Sequence, residues 1–172
     1  STYDAGSHKR WREELVEHTH EHQWTVLSLP PRFFSWRYSG NAFSLSMQHK
    51  EVLKKKYDLI LATSMTNVIA LRGLNPNLSE IPTILYFHEN QFSYPIQHEV
   101  VNRERFHFCL QSLYASLVSD KLVFNSHYNM ESFHSGLRTM LKKMPDFAPM
   151  DCLVPLRNKS CVIPVPIHQQ WF

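Results

Sequence analysis

The sequence predicts an α/β domain in which a parallel sheet is flanked by helices, and three observations carry that prediction. Short apolar runs alternate with stripes at helical spacing, strand then helix, as in strands joined by crossover helices. The run Leu59-Ile60-Leu61-Ala62 is continuous rather than alternating, which suits a strand buried on both faces. Polar residues gather where the strands end, the edge at which an open parallel sheet receives ligands.

The elements follow in order. Asp4-Ala5-Gly6-Ser7-His8 reads as a loop with Ser7 as N-cap. Trp11, Leu15, Val16 and Thr19 then mark a helix to about residue 20. Trp24 to Leu29 is rich in β-formers and stops at Pro30-Pro31, which cannot continue a ladder. Residues 32–50 read as an aromatic loop followed by a short helix. Tyr57 to Ala62 is the next strand, and Thr63-Ser64 open a helix carrying Met65, Val68, Ile69 and Leu71. The turn-rich Gly73 to Glu80 ends it. Pro82 to Phe87 is a strand, HENQFSYP a polar and aromatic loop, and a helix begins near Asn102 with Phe106, Cys109, Leu110, Leu113 and Leu117. Lys121 to Phe124 is a strand closed by Asn125-Ser126, and Met130, Phe133, Leu137 and Met140 mark a further helix. Residues 145–160 read as irregular, with a last short strand at Val162 to Val165.

A length of 172 residues suits one compact domain, and 43% hydrophobic residues exclude a wholly disordered chain. No apolar run approaches the roughly 18 residues of a membrane helix, so no membrane association is expected. No secretory leader is visible, and three widely spaced cysteines, Cys109, Cys152 and Cys161, fit a reducing cytoplasm better than a disulfide scaffold. A formal charge of +3 is compatible with a polyanionic partner. The chain opens at the loop that would follow a first strand and has no second half, which reads as a fragment.

Four polar stretches sit at strand ends: Asp4 to Lys9, Thr63-Ser64, His88 to Gln91, and Asn125 to His127 with Asn129. A polyhydroxylated ligand needs many short-range donors and acceptors on a rigid frame, and one sheet edge would gather them. His88-Glu89 is the sharpest pair, because an imidazole beside a carboxylate can orient a hydroxyl or accept its proton. It is not a zinc HExxH helix, since Phe92 stands where the second His would be. Gly6-Ser7-His8-Lys9 reads equally as an anion cradle at a helix start or as a capped helix with an exposed cation. His18, His20 and His22 lack a third metal ligand, and a solvated helix end accounts for them better. No metal site is expected. Lys54-Lys55-Lys56, Lys142-Lys143, Arg103, Arg105, Arg157 and Lys159 are solvated faces or phosphate contacts. Phe33-Phe34-Ser35-Trp36 is either a packed lid or a platform for a base or sugar ring.

DAGSHKRW, PPRFFSWR, YFHENQFSYP and VFNSHYNMESF, in that order from Asp4 to about Ile167, resemble the amino-terminal domain of the tRNA-queuosine α-mannosyltransferases. The resemblance implies a Rossmann-like domain, the amino-terminal half of a GT-B glycosyltransferase with its donor-binding carboxyl-terminal domain absent. It implies transfer of mannose from the nucleotide-sugar GDP-mannose to queuosine in tRNA, with retained configuration and no further cofactor. It places Gly6, Ser7, His8 and Lys9 at the cleft, with His88 and Glu89 as catalytic residues. Asn90, Asn125, Ser126 and Asn129 join the substrate-binding side. The isolated chain is expected to be inactive. A non-catalytic module that binds tRNA or a partner protein is the competing reading, and a hydrolase built on His88-Glu89 lacks a nucleophile elbow.

Overall fold

A computed structural model describes residues 1–93 and 102–166. Four parallel strands form one sheet in sequential order: β1 (Ile60–Thr63), β2 (Thr83–Phe87), β3 (Lys121–Phe124) and β4 (Ser160–Val162). Helices α1 (Gly6–His18), α2 (Phe34–Gln48), α3 (Lys50–Leu53), α4 (Val68–Leu74), α5 (Asn102–Val118), α6 (His127–Leu141) and α7 (Leu153–Asn158) surround it. The architecture is Rossmann-like, as expected. All four strands end toward the same edge, because every pairing is parallel and in step, from Ile60 opposite Thr83 to Phe124 opposite Val162.

The register starts where chemistry permits. Pro82 has no N–H, so β2 cannot begin before Thr83. The Pro82 carbonyl accepts from Ile60, and the Thr83 N–H donates to the Asp120 carboxylate at 2.7 Å. The ladder of β1 therefore opens at Ile60 rather than Tyr57, and Leu59 is left exposed.

Alternation across β2 and β3 builds two layers. Leu85, Phe87, Leu122 and Phe124 face α6, where Phe133, Leu137 and Leu141 complete the core. On the other face Tyr86 stacks on Trp11 of α1 at 4.3 Å. A second cluster of Leu29, Ala42, Leu45, Leu71 and Leu78 joins α2 to α4. Asn41, wholly buried, locks these helices: its amide donates to the carbonyls of Arg37, Tyr38 and Met65, and its Oδ1 accepts from the Asn67 N–H.

Several expectations are corrected. Ser7 is not the cap of α1. Ala5 holds that position without a side-chain bond, and Ser7 lies inside the first turn. Trp24 to Leu29 joins no sheet strand. Leu29 instead exchanges backbone hydrogen bonds with Ser1 and Asp4, both at 3.1 Å. The short helix expected within 32–50 is a 15-residue helix, α2, and begins at Phe34. Thr63 ends β1 rather than opening a helix, and Asn67 caps α4 by accepting from the Ala70 N–H. Residues 153–158 are helical despite Pro155, because proline in a first turn replaces an N–H that has no helical partner. The last strand spans Ser160–Val162 and stops before Pro164. Tyr94 and Pro95 of the HENQFSYP loop and the Arg103 side chain lie outside the described residues.

Candidate functional site

Three of the four polar stretches meet at the carboxyl edge of the sheet. β2 delivers His88, Glu89 and Asn90; β3 delivers Asn125 and Ser126; and α1 crosses above them with His8 in its first turn. Ser64, just past β1, donates to the Glu89 carbonyl at 3.2 Å and adds the fourth.

The loops after β2 and β3 are joined by an amide lattice. The Asn90 Nδ2 donates to the carbonyl and Oδ1 of Asn129 and to Ser132 Oγ, and its Oδ1 accepts from the N–H groups of Phe92 and Ser93. Asn129 Nδ2 donates to the Phe87 carbonyl and to Asn125 Oδ1. Asn125 Nδ2 donates to the His88 carbonyl at 2.6 Å. Ser126 caps α6 by accepting from the Asn129 N–H. Asn90 and Asn129 are buried, and these bonds engage their amides within the protein. What they supply is the relative position of the two loops.

His88 is half-buried, with its ring packed against three others. It stacks on His8 at 4.1 Å and 16°, and meets Trp11 and Tyr86 edge-on at 4.9 and 4.8 Å. Its Nε2 is buried without a hydrogen-bond partner among the described residues. Burial, and then the charge of the neighbouring His8, lower its pKa to about 3, so the ring is neutral at ordinary pH.

His8 and Glu89 form the polar contact beside it. His8 Nδ1 lies 3.1 Å from the Tyr3 carbonyl, which only accepts, so Nδ1 carries a proton. His8 Nε2 lies 3.2 Å from Glu89 Oε2. One proton must sit between these two atoms, on either the imidazole or the carboxyl group. His8 is 8% exposed while the Glu89 side chain is 28% exposed, so the carboxylate is the member that reaches solvent. A cavity of about 270 Å³ opens there, lined by the predicted site residues His88, Glu89, Asn90, Asn125, Ser126 and Asn129 together with Ser93 and Tyr128. A second cavity of about 520 Å³ lies between α5 and α6 and shares Ser93 with the first.

Gly6, Ser7 and Lys9 are exposed at the start of α1, and Lys9 pairs with Glu13 at 3.9 Å. A Cβ on Gly6 would meet nothing within 4 Å, so that side of the helix start is open. Behind it Arg12 grips Asp4 through two bonds, at 2.8 and 3.3 Å. Burial pushes the Asp4 carboxyl up, but Arg12 and Ser1 together hold it below its usual range.

Four of the dispersed cations serve the frame. Lys54 pairs with Glu51, Arg157 with Glu131, Arg105 donates to the Phe92 carbonyl, and Lys159 to the carbonyls of Leu117 and Ser119. Among the described residues no cluster of His, Cys, Asp or Glu is arranged to hold a metal ion, and His18, His20 and His22 are exposed. The three cysteines are free thiols. Sequence reasoning missed Tyr3, Trp11, Tyr86 and Tyr128 as site residues. Trp11 was legible as part of a helical stripe, and nothing in the pattern marks the others.

The half-buried His88 ring predicts an acid limb in stability. An unfolded histidine takes up a proton near pH 6.5, whereas folded His88 waits until about 3. Stability from this group is complete above the unfolded value and falls as pH drops through that window, by at most about 1.4 kcal/mol per pH unit. His134, lowered to about 4 by burial and then by Arg157, acts in the same direction. Urea midpoints of His88→Phe are therefore expected to fall less steeply than the parent's between about pH 4 and 6.5. Parallel curves would contradict the burial.

A family profile described as tRNA-queuosine alpha-mannosyltransferase N-terminal matches residues 1–167. The tRNA-queuosine alpha-mannosyltransferase of Drosophila melanogaster is 28% identical over 170 residues, covering 98% of this chain and 44% of its own length. The chain thus spans less than half the length of this relative. No solved structure gives a significant match. Among the described residues no helix is long and apolar enough to cross a membrane. On the extent of the profile match, the chain belongs to the tRNA-queuosine alpha-mannosyltransferase N-terminal family.

Proposed function

We propose that the full-length protein transfers mannose from GDP-mannose to queuosine in tRNA, in the cytoplasm, and that this chain is its acceptor-side half in a GT-B arrangement. The observation that supports the reading is the meeting of α1 with the loops after β2 and β3 around one open carboxylate. Glu89, with the hydroxyls of Ser93, Ser126 and Tyr128, offers one charged acceptor and several donor-acceptor groups in about 270 Å³. That is smaller than the roughly 300–1,000 Å³ of drug-sized pockets, so the space suits one sugar-like ring rather than a whole nucleotide. In this reading Glu89 receives a hydrogen bond from a hydroxyl of the queuosine diol, and the His8 contact sets the charge and direction of that carboxylate. His88 is the wall that keeps His8 in register. Gly6 and Ser7 border the diphosphate of the donor, because the first N–H groups of a helix have no partner within it and favour an anion, and Lys9 adds its ammonium group there.

Mass spectrometry of tRNA after incubation with full-length protein and GDP-mannose tests the reading. One added hexose on queuosine-bearing tRNA, and none on the same tRNA with guanosine in that place, is the expected result. No addition to either would contradict it.

A further inference from the structure

The start of α2 carries features that neither the fold nor the groove uses. Phe33 precedes the helix with φ 55° and ψ 60°, a left-handed conformation that costs a non-glycine residue energy. Its ring is 70% exposed, so packing does not account for the strain. The Arg32 guanidinium lies 5.6 Å from its centroid. One turn on, Trp36 is 52% exposed although one face of its indole is pressed against Gly40. A Cβ at Gly40 would lie 2.9 to 3.0 Å from the six-membered ring, so any larger residue there would displace the indole. Arg37 is the fourth feature. It is 8% exposed, its Nε has no partner, and among the described residues no carboxylate pairs with it. An unpaired buried cation is costly, and the fold gains nothing visible from it.

Residues 33, 36, 37 and 40 are neighbours on a helix surface, at spacings of three and four. Two exposed rings and the Arg32 guanidinium thus share one patch, with the largely buried Arg37 at its floor. The patch connects to the groove indirectly: Phe34, next to Phe33, meets Tyr3 at 5.6 Å, and the Tyr3 carbonyl holds His8.

We propose that this patch is a stacking platform for an unpaired base of the acceptor RNA, with Arg37 and Arg32 receiving the adjoining phosphates. Rings flanked by guanidinium groups suit the bases and phosphates of a single strand. An apolar protein surface would cover the rings but leave Arg37 without an anion. The proposal rests on the tRNA reading and adds where that RNA is held, on α2 outside the sugar-sized cavity.

The test uses the full-length protein and a synthetic anticodon stem-loop RNA, with and without queuosine. Trp36→Ala is expected to weaken binding of both RNAs about tenfold, and Trp36→Phe to recover most of the loss. Arg37→Met is expected to reduce the salt dependence of binding by about 0.7 in log–log slope and leave the urea midpoint equal or higher. A structural arginine would lower that midpoint. Phe43→Ala and Met47→Ala, exposed farther along α2, are expected to bind as the parent does. Parental binding by Trp36→Ala and Arg37→Met overturns the platform alone, as does an equal loss in all four alanine and methionine variants, which marks a protein-docking face. A parent that binds neither RNA overturns the tRNA reading with it. Should Trp36→Ala fail to fold, Arg37→Met still decides.

Discussion

Replacing Glu89 by Gln in the full-length protein is expected to lower mannosyl transfer by at least about a hundredfold, while the urea midpoint and tRNA affinity stay at parental values. The substitution is chosen by the proton count. His8 Nδ1 is committed to the Tyr3 carbonyl, so the contact between Nε2 and Oε2 holds one proton. A glutamine amide donates to the bare Nε2 and keeps that contact. The shape of the loop therefore survives, and only the charge facing the cavity is lost. Turnover with tRNA is read alongside binding of the same tRNA, so a loss confined to the first belongs to the transfer step. Transfer at the parental rate would remove Glu89 from the chemistry.

Phe133→Ala is expected to cost about 3–5 kcal/mol of unfolding free energy, read from urea denaturation. Phe133 is wholly buried on α6, and its ring meets Phe87 at 5.0 Å, Phe92 at 5.4 Å and Phe124 at 5.4 Å. Phe87 and Phe124 are the last residues of β2 and β3, so the same ring supports both loops of the groove. The tightness is visible at Gly136, where any Cβ would intrude on Phe92. A loss below about 1 kcal/mol would mean that the core closes around the gap and that the loops are held mainly by their amide lattice.

β2, β3, α5 and α6 were legible because apolar runs bounded by polar loops carry their own boundaries. Ser126 even marks the start of α6 by its side chain. Elements decided by distant partners were not legible. Trp24 to Leu29 has β-forming residues, yet its backbone partners are Ser1 and Asp4 rather than a strand. Leu153–Asn158 looks broken by Pro155, yet a first-turn proline leaves the helix intact.

The site divides in the same way. The position of His88-Glu89 at a strand end was readable from the pattern of β2. That His8, 81 residues away, rather than His88 touches the carboxylate was not, because nothing local to either segment records the stacking of two rings. Asn90 and Asn129 read as ligand-facing amides from their loops, and both line the cavity. That their amides also bond each other across 39 residues was not readable from either loop.

The central claim is that α1 and the loop after β2 act as one unit through the proton shared by His8 and Glu89. A double-mutant cycle on kcat in the full-length protein, with His8→Gln, Glu89→Gln and the pair, measures this most directly. The account predicts that the double variant is no slower than the slower single variant. Losses that multiply would show two groups acting independently and would contradict it.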